Sequence, residues 1–523
     1  NTANNGQGGG ICTLNGAVIE NCTMVGNFGG SGPGLFCSGN GAVIRNSIIY
    51  ANDFVHYVNW GASGTATFDH CCSQPLMPGS GNTTNNPQIY QDTRALGWDF
   101  HLRPGSPCLN AGVNQAWMAG ASDADGYPRV TDGTVDMGAY ERSPNHYYSF
   151  NGSHAWPYLS WATAATNVQA ALAAGQFGDT VWVTNGAHTF AETVTVTNPV
   201  TLCGAGGAAA TTIDGQGVRR CVTICHSNAA VKGFTLMRGL SDIGGAVYSE
   251  HGSVLDCAVV SNSANWGGGG VYRMWDGLVS NCTVKANAAA YYGAGVYCRL
   301  GGTVKDSAIQ NNGAWTLPQG GGIYCFEAGS VENCTLAGNR AEQGSAVYLD
   351  GGGAVTGGRV TNNLTSDAVG AIHVCQNGKV SDALVAGNEG GGLFLHGGGV
   401  VSNCVVLANH ADMPGAGGVY LYQGGTVMAC TVCGNTGSQA AGVCLEGGGT
   451  LANSTVSSNN ADSVCGGVWL KGGTAFNCLV ADNTAEGTGG GVVCDNGGVL
   501  RNCLVVRNRG GYSVGGVAAT SGS

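Results

Sequence analysis

Cysteine is the first residue to question in this 523-residue chain, which holds 23 of them. The number is odd, and thiols in this abundance serve as metal ligands, redox groups, disulfides or buried hydrophobes. Metal spacing is nearly absent. Cys430 and Cys433 form the one CxxC, with no second pair to complete a tetrahedral site. A second set is aromatic: Tyr248, Tyr272, Tyr297, Tyr324, Tyr348, Phe394, Tyr420 and Trp469 recur at near-regular intervals. Two residues further along stand polar groups, among them Glu250, Arg299, Asp350, Gln376, His396, Glu446, Lys471 and Asp495. An aromatic strip edged with polar groups can grip a glycan or another subunit. The same pattern also describes a stacking ladder that stabilises a sheet.

Carboxylates give less. Glycan hydrolysis needs two carboxyl groups about 5 to 9.5 Å apart. Glu446 and Asp495, with Lys471 between them, are the nearest approach, but such a series reads more simply as surface charge pairing. No catalytic residue is assigned, and an enzyme is not expected. Asp123 and Asp125 precede a glycine in "SDADGYPRV", where alternating oxygens suit Ca2+. The rest of an EF-hand loop is missing, so a tight Asx-turn is the simpler reading. Sequons occur at Asn21, Asn82, Asn151, Asn281, Asn333, Asn363 and Asn453.

The elements that must position these residues follow from composition and repetition. There are 93 glycines, 12 prolines, 43% hydrophobic and only 10% charged residues. A chain so poor in charge is no solvated polymer, and glycine without a three-residue period excludes collagen. The net charge of −11 leaves no basic stripe for nucleic acid. No apolar run is long enough to span a membrane as a helix.

Aligned on the Cys of "NCTL", the chain repeats from Cys257 to Cys503 at spacings of 21 to 27 residues, and again at Cys22 and Ser47. Five residues after each anchor stands an asparagine, from Asn262 through Asn508 and at Asn27 and Asn52. Each repeat holds short alternating runs broken by Gly and Asn, with no helical stretch and no leucine-rich pattern. Three short strands per turn, stacked about 4.8 Å apart, make a right-handed parallel β-helix of about 25 residues per coil. Val, Ile, Leu and Cys fill the inward positions. Asn281, Asn333, Asn403, Asn453, Asn477 and Asn502, just before the anchor, form a turn ladder, because Asn tolerates the left-handed conformation. Ser, Ala and Gly replace Cys at the anchor, so the repeat cysteines read as buried small residues. Stacked neighbours still lie within bridging range, which offers Cys257–Cys282, Cys298–Cys325 and Cys478–Cys503 as disulfides. Cys72–Cys108 is a separate candidate outside the repeat. The sequons inside "NCT" and "NST" are expected to be too buried for modification.

The "GGGVY" and "NCTV…N" elements resemble bacterial right-handed β-helix repeat proteins of the pectate-lyase-like and polymorphic-outer-membrane type. The resemblance covers roughly residues 200–523 and 1–52. "HLRPGSPCLNAG" and "DADGYPRVTDGTVDMGAYE" resemble the closing segment of surface proteins labelled choice-of-anchor. The expected organisation is therefore the last coils of a first β-helix over 1–52, a closing segment over 53–142, a linker and capping helix over 143–178, and a second β-helix over 179–523. Ser160 is the expected N-cap of a helix over Trp161–Ala174. Both chain ends look like cuts through a β-helix. The resemblance implies a secreted structural protein at the cell surface or outside the cell: an adhesin, a stalk, or a fibre subunit that associates end to end or in tandem copies. The alternative it implies is a polysaccharide-binding or polysaccharide-degrading protein.

Overall fold

The computed structural model describes residues 1–52, 58–89, 100–131, 133–313, 319–367, 369–412 and 415–520, with backbone alone at 4 and 5. Parts of the expected closing segment, and the last three residues, lie outside the described residues. The chain divides into two compact units, Asn1–Thr180 and Val181–Ser523.

The second unit is a parallel β-solenoid. One coil contributes Ile323–Phe326, Ser330–Glu332 and Thr335–Ala337. Each pairs in parallel register with its counterpart in the next coil, Val347–Asp350, Ala354–Thr356 and Arg359–Thr361. Repetition gives two 14-stranded sheets and a third that follows the same coils. In the three-residue strands of these two coils the central residue points inward, so Val331, Leu336, Val355 and Val360 are 0–1% exposed. Strands this short hold together because every coil extends the same hydrophobic column and the same hydrogen-bond ladders.

Two corner devices explain the repeat. At the anchor, cysteine and serine do the same work. Cys282, Cys334 and Cys430 donate Sγ–H to the carbonyl two residues back, at 3.2–3.3 Å. Ser307 and Ser454 do so with Oγ–H at 2.7 Å. The same atom accepts the backbone N–H of the anchor one coil earlier, as Ser307 does from Cys282 at 3.1 Å. A small buried donor-acceptor is therefore needed at most anchors, which is why the two residues interchange. Just before the anchor, Asn281, Asn333, Asn403, Asn453, Asn477 and Asn502 adopt φ of 48–55°. Their side chains run along the outside: Asn281 donates to Asp256 at 2.7 Å and Asn477 to Asn453 at 3.3 Å. Asn281, Asn333 and Asn453 are exposed, so the expectation that these sequons are buried is corrected. The left-handed turn swings the side chain outward, away from the core.

The buried ladder is the asparagine five residues after the anchor. Asn312 donates its Nδ2–H to Asn339 Oδ1, and Asn339 to Asn363 Oδ1, both at 3.0 Å. The chain of amides runs unbroken from Asn262 to Asn508. Each Oδ1 also accepts the backbone N–H of the preceding ladder residue, and each Nδ2 also donates to a main-chain carbonyl, as Asn339 does to Ile309 at 2.9 Å. Asparagine alone supplies donor and acceptor in one short planar group.

The first unit repeats this architecture over three coils and then changes. Val18–Glu20, Ala42–Arg45 and Ala66–Asp69 stack in parallel, as do Ile11–Thr13, Leu35–Cys37 and Trp60–Ala62. Leu35, Ile44, Ile49, Phe68 and Cys71 fill its core. The segment that follows is held by buried charge. Arg129 pairs with Glu141 at 2.9 Å, and Arg142 pairs with Asp179. Asp136 accepts the N–H groups of Asn110 and Arg142 at 2.6 and 2.8 Å. Burial, and then the Asp136 carboxylate, push Glu141 up to about 9 against the pull of Arg129.

The helix is shorter than the sequence suggested. It spans Val168–Ala174, capped by Asn167, whose side chain accepts from Gln169 N–H at 2.8 Å. Ser160 instead closes a local turn with Thr163. Residues 162–165 are drawn into backbone hydrogen bonds with Tyr147, Ser153, His154 and Ala155, which a helix there would forfeit.

Candidate functional site

The outward face of the sheet through Ile323–Phe326 carries the aromatic column. Strand register places Tyr248, Tyr272, Tyr297, Tyr324, Tyr348, His373, Phe394, Tyr420, Cys444 and Trp469 on successive coils. Two members escaped the sequence reading because neither His373 nor Cys444 is an aromatic of the Phe, Trp or Tyr kind. The signal that finds them is the inward residue on either side: Ile372 and Val374 align with Leu393 and Leu395. The same register corrects the polar row beyond the column. Cys375, not Gln376, faces out beside His396, because Gln376 already sits in the corner at φ 58°.

The tyrosine rings stack nearly parallel. Centroids of Tyr272 and Tyr297 are 4.7 Å apart at 5°, and those of Tyr297–Tyr324 and Tyr324–Tyr348 are 5.2 Å apart. Outward does not mean exposed. Tyr272, Tyr297, Tyr324 and Tyr348 are buried, at 2–7% exposure, so the expectation of an open aromatic strip is corrected. Trp266 lies 5.4 Å from Tyr297 and Tyr292 lies 4.9 Å from Tyr324, and these rings from the preceding segment of the coil lean over the column. Tyr248, Tyr420 and Trp469 are only partly covered. Aromatic groups that are exposed lie off the column, among them Tyr291 and Trp266, 53% and 38% exposed, and Trp275 and Tyr512.

Polar groups at the edge tie the column down. Tyr324 donates its hydroxyl to Asp350 at 3.0 Å, and burial followed by that carboxylate raises the Tyr324 pKa. Glu446 accepts from Tyr420 at 2.8 Å and pairs with Lys471 at 2.7 Å, while the Lys471 ammonium lies 4.8 Å over the Trp469 ring. Burial alone would raise the Glu446 pKa, but the hydrogen bonds from Lys471 and Tyr420 bring it below the usual glutamate value. Asp495 accepts from Thr520 at 2.8 Å. Glu446 and Asp495 thus each have local partners.

In the middle of the column His373 sits between Tyr348, 4.4 Å away, and Phe394, 4.7 Å away and edge-on. Burial lowers its pKa to about 3, so it stays neutral. Its Nε2 is 3.5 Å from Cys375 Sγ, which also lies 3.5 Å from the Tyr348 hydroxyl.

All 23 cysteines carry free thiols. Cys298 and Cys325 are register partners inside the solenoid, and in the first unit Cys72 lies beside Cys108 and donates to Asn85 O at 3.2 Å. Cys257 and Cys282 each donate to a carbonyl, and Cys503 Sγ accepts from Cys478 N–H at 3.4 Å. Cys404–Cys430 is a further thiol–thiol contact that the sequence reading did not single out. At the aspartate pair, Asp123 accepts from the N–H groups of Asp125, Tyr127 and Glu141, which is the Asx-turn arrangement, while Asp125 contacts His101. Among the described residues, no three His, Cys, Asp or Glu side chains converge as they stand on a metal position.

Fold and site together define a right-handed parallel β-solenoid protein. A family model described as right handed beta helix region matches residues 227–436. No curated protein matches the chain. Similar solved structures include the A-modules of two mannuronan C-5 epimerases of Azotobacter vinelandii. AlgE6 is 14% identical over 68% of this chain and 93% of its own, with a TM-score of 0.32. AlgE4 is 16% identical over 68% and 91%, with a TM-score of 0.33. The catalytic unit of a GH87 α-1,3-glucanase from Streptomyces thermodiastaticus is 15% identical over 68% and 65%, with a TM-score of 0.21. These likenesses are too remote to transfer the role of any residue.

Proposed function

We propose that this chain is a structural solenoid of an extracellular or cell-surface protein: the shaft of an adhesin or stalk, or an element of a fibre formed by tandem or end-to-end copies. The observation that carries the reading is the unbroken ladder of buried amides from Asn262 to Asn508. It runs beside an aromatic column that is itself buried from Tyr272 to Phe394. Both columns give their polar and aromatic groups to stiffness along the axis. An enzyme of this size would be expected to leave some of them facing a cleft.

A polysaccharide-acting protein is the second reading, favoured by the Tyr420–Glu446–Lys471 contact beside the partly exposed Trp469. The deciding experiment pairs two measurements on the purified chain. Electron microscopy and sedimentation across a concentration range should show a stiff rod that lengthens by end-to-end association. Incubation with neutral glucans and with uronate polymers should release no product. Turnover that disappears in Glu446→Gln would replace the structural reading with the enzymatic one.

A further inference from the structure

We infer that His373 and Cys375, completed by His396, form a binding site for a borderline-soft divalent cation such as Zn2+. The strand Ile372–Cys375 sets the first two side chains on one face, two residues apart. Their Nε2 and Sγ atoms are 3.5 Å apart. A tetrahedral ion with Zn–S of about 2.3 Å and Zn–N of about 2.0–2.1 Å separates such atoms by about 3.6 Å. The observed separation therefore matches that of two ligands sharing one ion.

The histidine is held for this role. Its ring is only 5% exposed and is wedged between Tyr348 and Phe394, and its Nδ1 has no hydrogen-bond partner. Nε2 is thus the ring nitrogen that makes a polar contact, and it points at sulfur. Cys375 is partly exposed, so an ion can reach it from solvent. The Tyr348 hydroxyl, 3.5 Å from Sγ, is placed to steady a thiolate.

The third ligand comes from the next coil. His396 is the register partner of Cys375, one strand spacing of about 4.8 Å away on the same face. Its Nε2 now contacts Gln423 Oε1 at 3.1 Å, an exposed hydrogen bond. Turning the ring toward Cys375 gives up that hydrogen bond and the packing on Tyr422, 5.3 Å between centroids, for a metal bond. The Cys375 thiol proton leaves to solvent as the sulfur–metal bond forms, and water takes the fourth position. A site whose third ligand must swing in is open until the ion arrives.

A plain thiol–imidazole hydrogen bond has the same 3.5 Å separation, so the test must see the metal itself. Chelator-treated protein is titrated with Co2+ and followed by absorption spectroscopy. The expected result is one equivalent bound, with a thiolate-to-cobalt charge-transfer band and tetrahedral d–d bands that Zn2+ displaces. Cys375→Ser, whose thermal melt should match the parent, should abolish the charge-transfer band. His396→Asn should weaken binding at least tenfold. Absence of the band, or its persistence in Cys375→Ser, overturns the site. Unchanged affinity in His396→Asn overturns the third ligand.

Discussion

Asn339 is the sharpest test of how this solenoid is held together. Its Oδ1 accepts from both the N–H and the Nδ2–H of Asn312 at 3.0 Å, and its Nδ2 donates to Ile309 O and Asn363 Oδ1 at 2.9 and 3.0 Å. The residue is 0% exposed, so water cannot replace what a substitution removes. Asn339→Ala takes away all four bonds. The Asn312 N–H and one Asn312 Nδ2 hydrogen then lose the partners seen here. At about 1–3 kcal/mol for each of these two buried groups left unsatisfied, the variant should lose roughly 2–6 kcal/mol. The loss should be local, because each coil touches only its neighbours. Hydrogen exchange followed by mass spectrometry should show faster exchange in peptides covering residues 309–340 and little change near residue 480. Asn339→Asp should fare no better, since a carboxylate cannot donate to Ile309 and would face the Asn363 oxygen. The matched control is Asn333→Gly, on the same coil but exposed and at φ 51°. Glycine keeps that conformation, so its cost should stay within about 0.5 kcal/mol. Equal protection in Asn339→Ala and Asn333→Gly would refute the idea that the inner amide column, and not the corner turns, holds the coils together.

Other outcomes follow from single buried groups. Arg273 is fully buried with Nε and Nη1 unpartnered, so Arg273→Leu should stabilise the fold, by about 1–4 kcal/mol if the site repacks, and raise the denaturation midpoint; a lower midpoint would mean the guanidinium has a partner worth more than its burial costs. Burial holds the His188 pKa below 6.5, so protonation favours the unfolded chain. Stability should therefore fall as pH drops below about 6.5, and His188→Gln should flatten that slope in pH-dependent melts. Ser454 donates to Ala452 O and accepts from Cys430 N–H, so Ser454→Cys should be nearly silent, whereas Ser454→Val should cost about 2 kcal/mol by chemical denaturation.

The repeat itself was legible because a solenoid writes its geometry into a period. The anchor, the asparagine five residues later and the alternating strands fixed coil length, three strands of each coil and the inward face without any long-range contact needing to be known; the short fourth strand that many coils add after the asparagine, such as His410–Ala411, went unread. What failed was local context. Ser160 and Trp161 carried a helix pattern, but the backbone there bonds to residues 147–155, and the helix begins only after Asn167. Three sequon asparagines looked buried because they repeat. Their positive φ turns them out to solvent.

The amino-acid sequence determined the coil and its columns, since a parallel stack brings equivalent residues together and any residue type that recurs must touch itself. Tertiary structure alone decided the status of those columns. It covered the tyrosines with Trp266 and Tyr292, put His373 and Cys375 into rows the residue types did not announce, and gave Glu446 both Tyr420 and Lys471 as partners. The physical reason is that a repeat specifies contacts between coils one period apart. What leans over a column comes from the irregular segment within each coil, whose length and path vary from turn to turn.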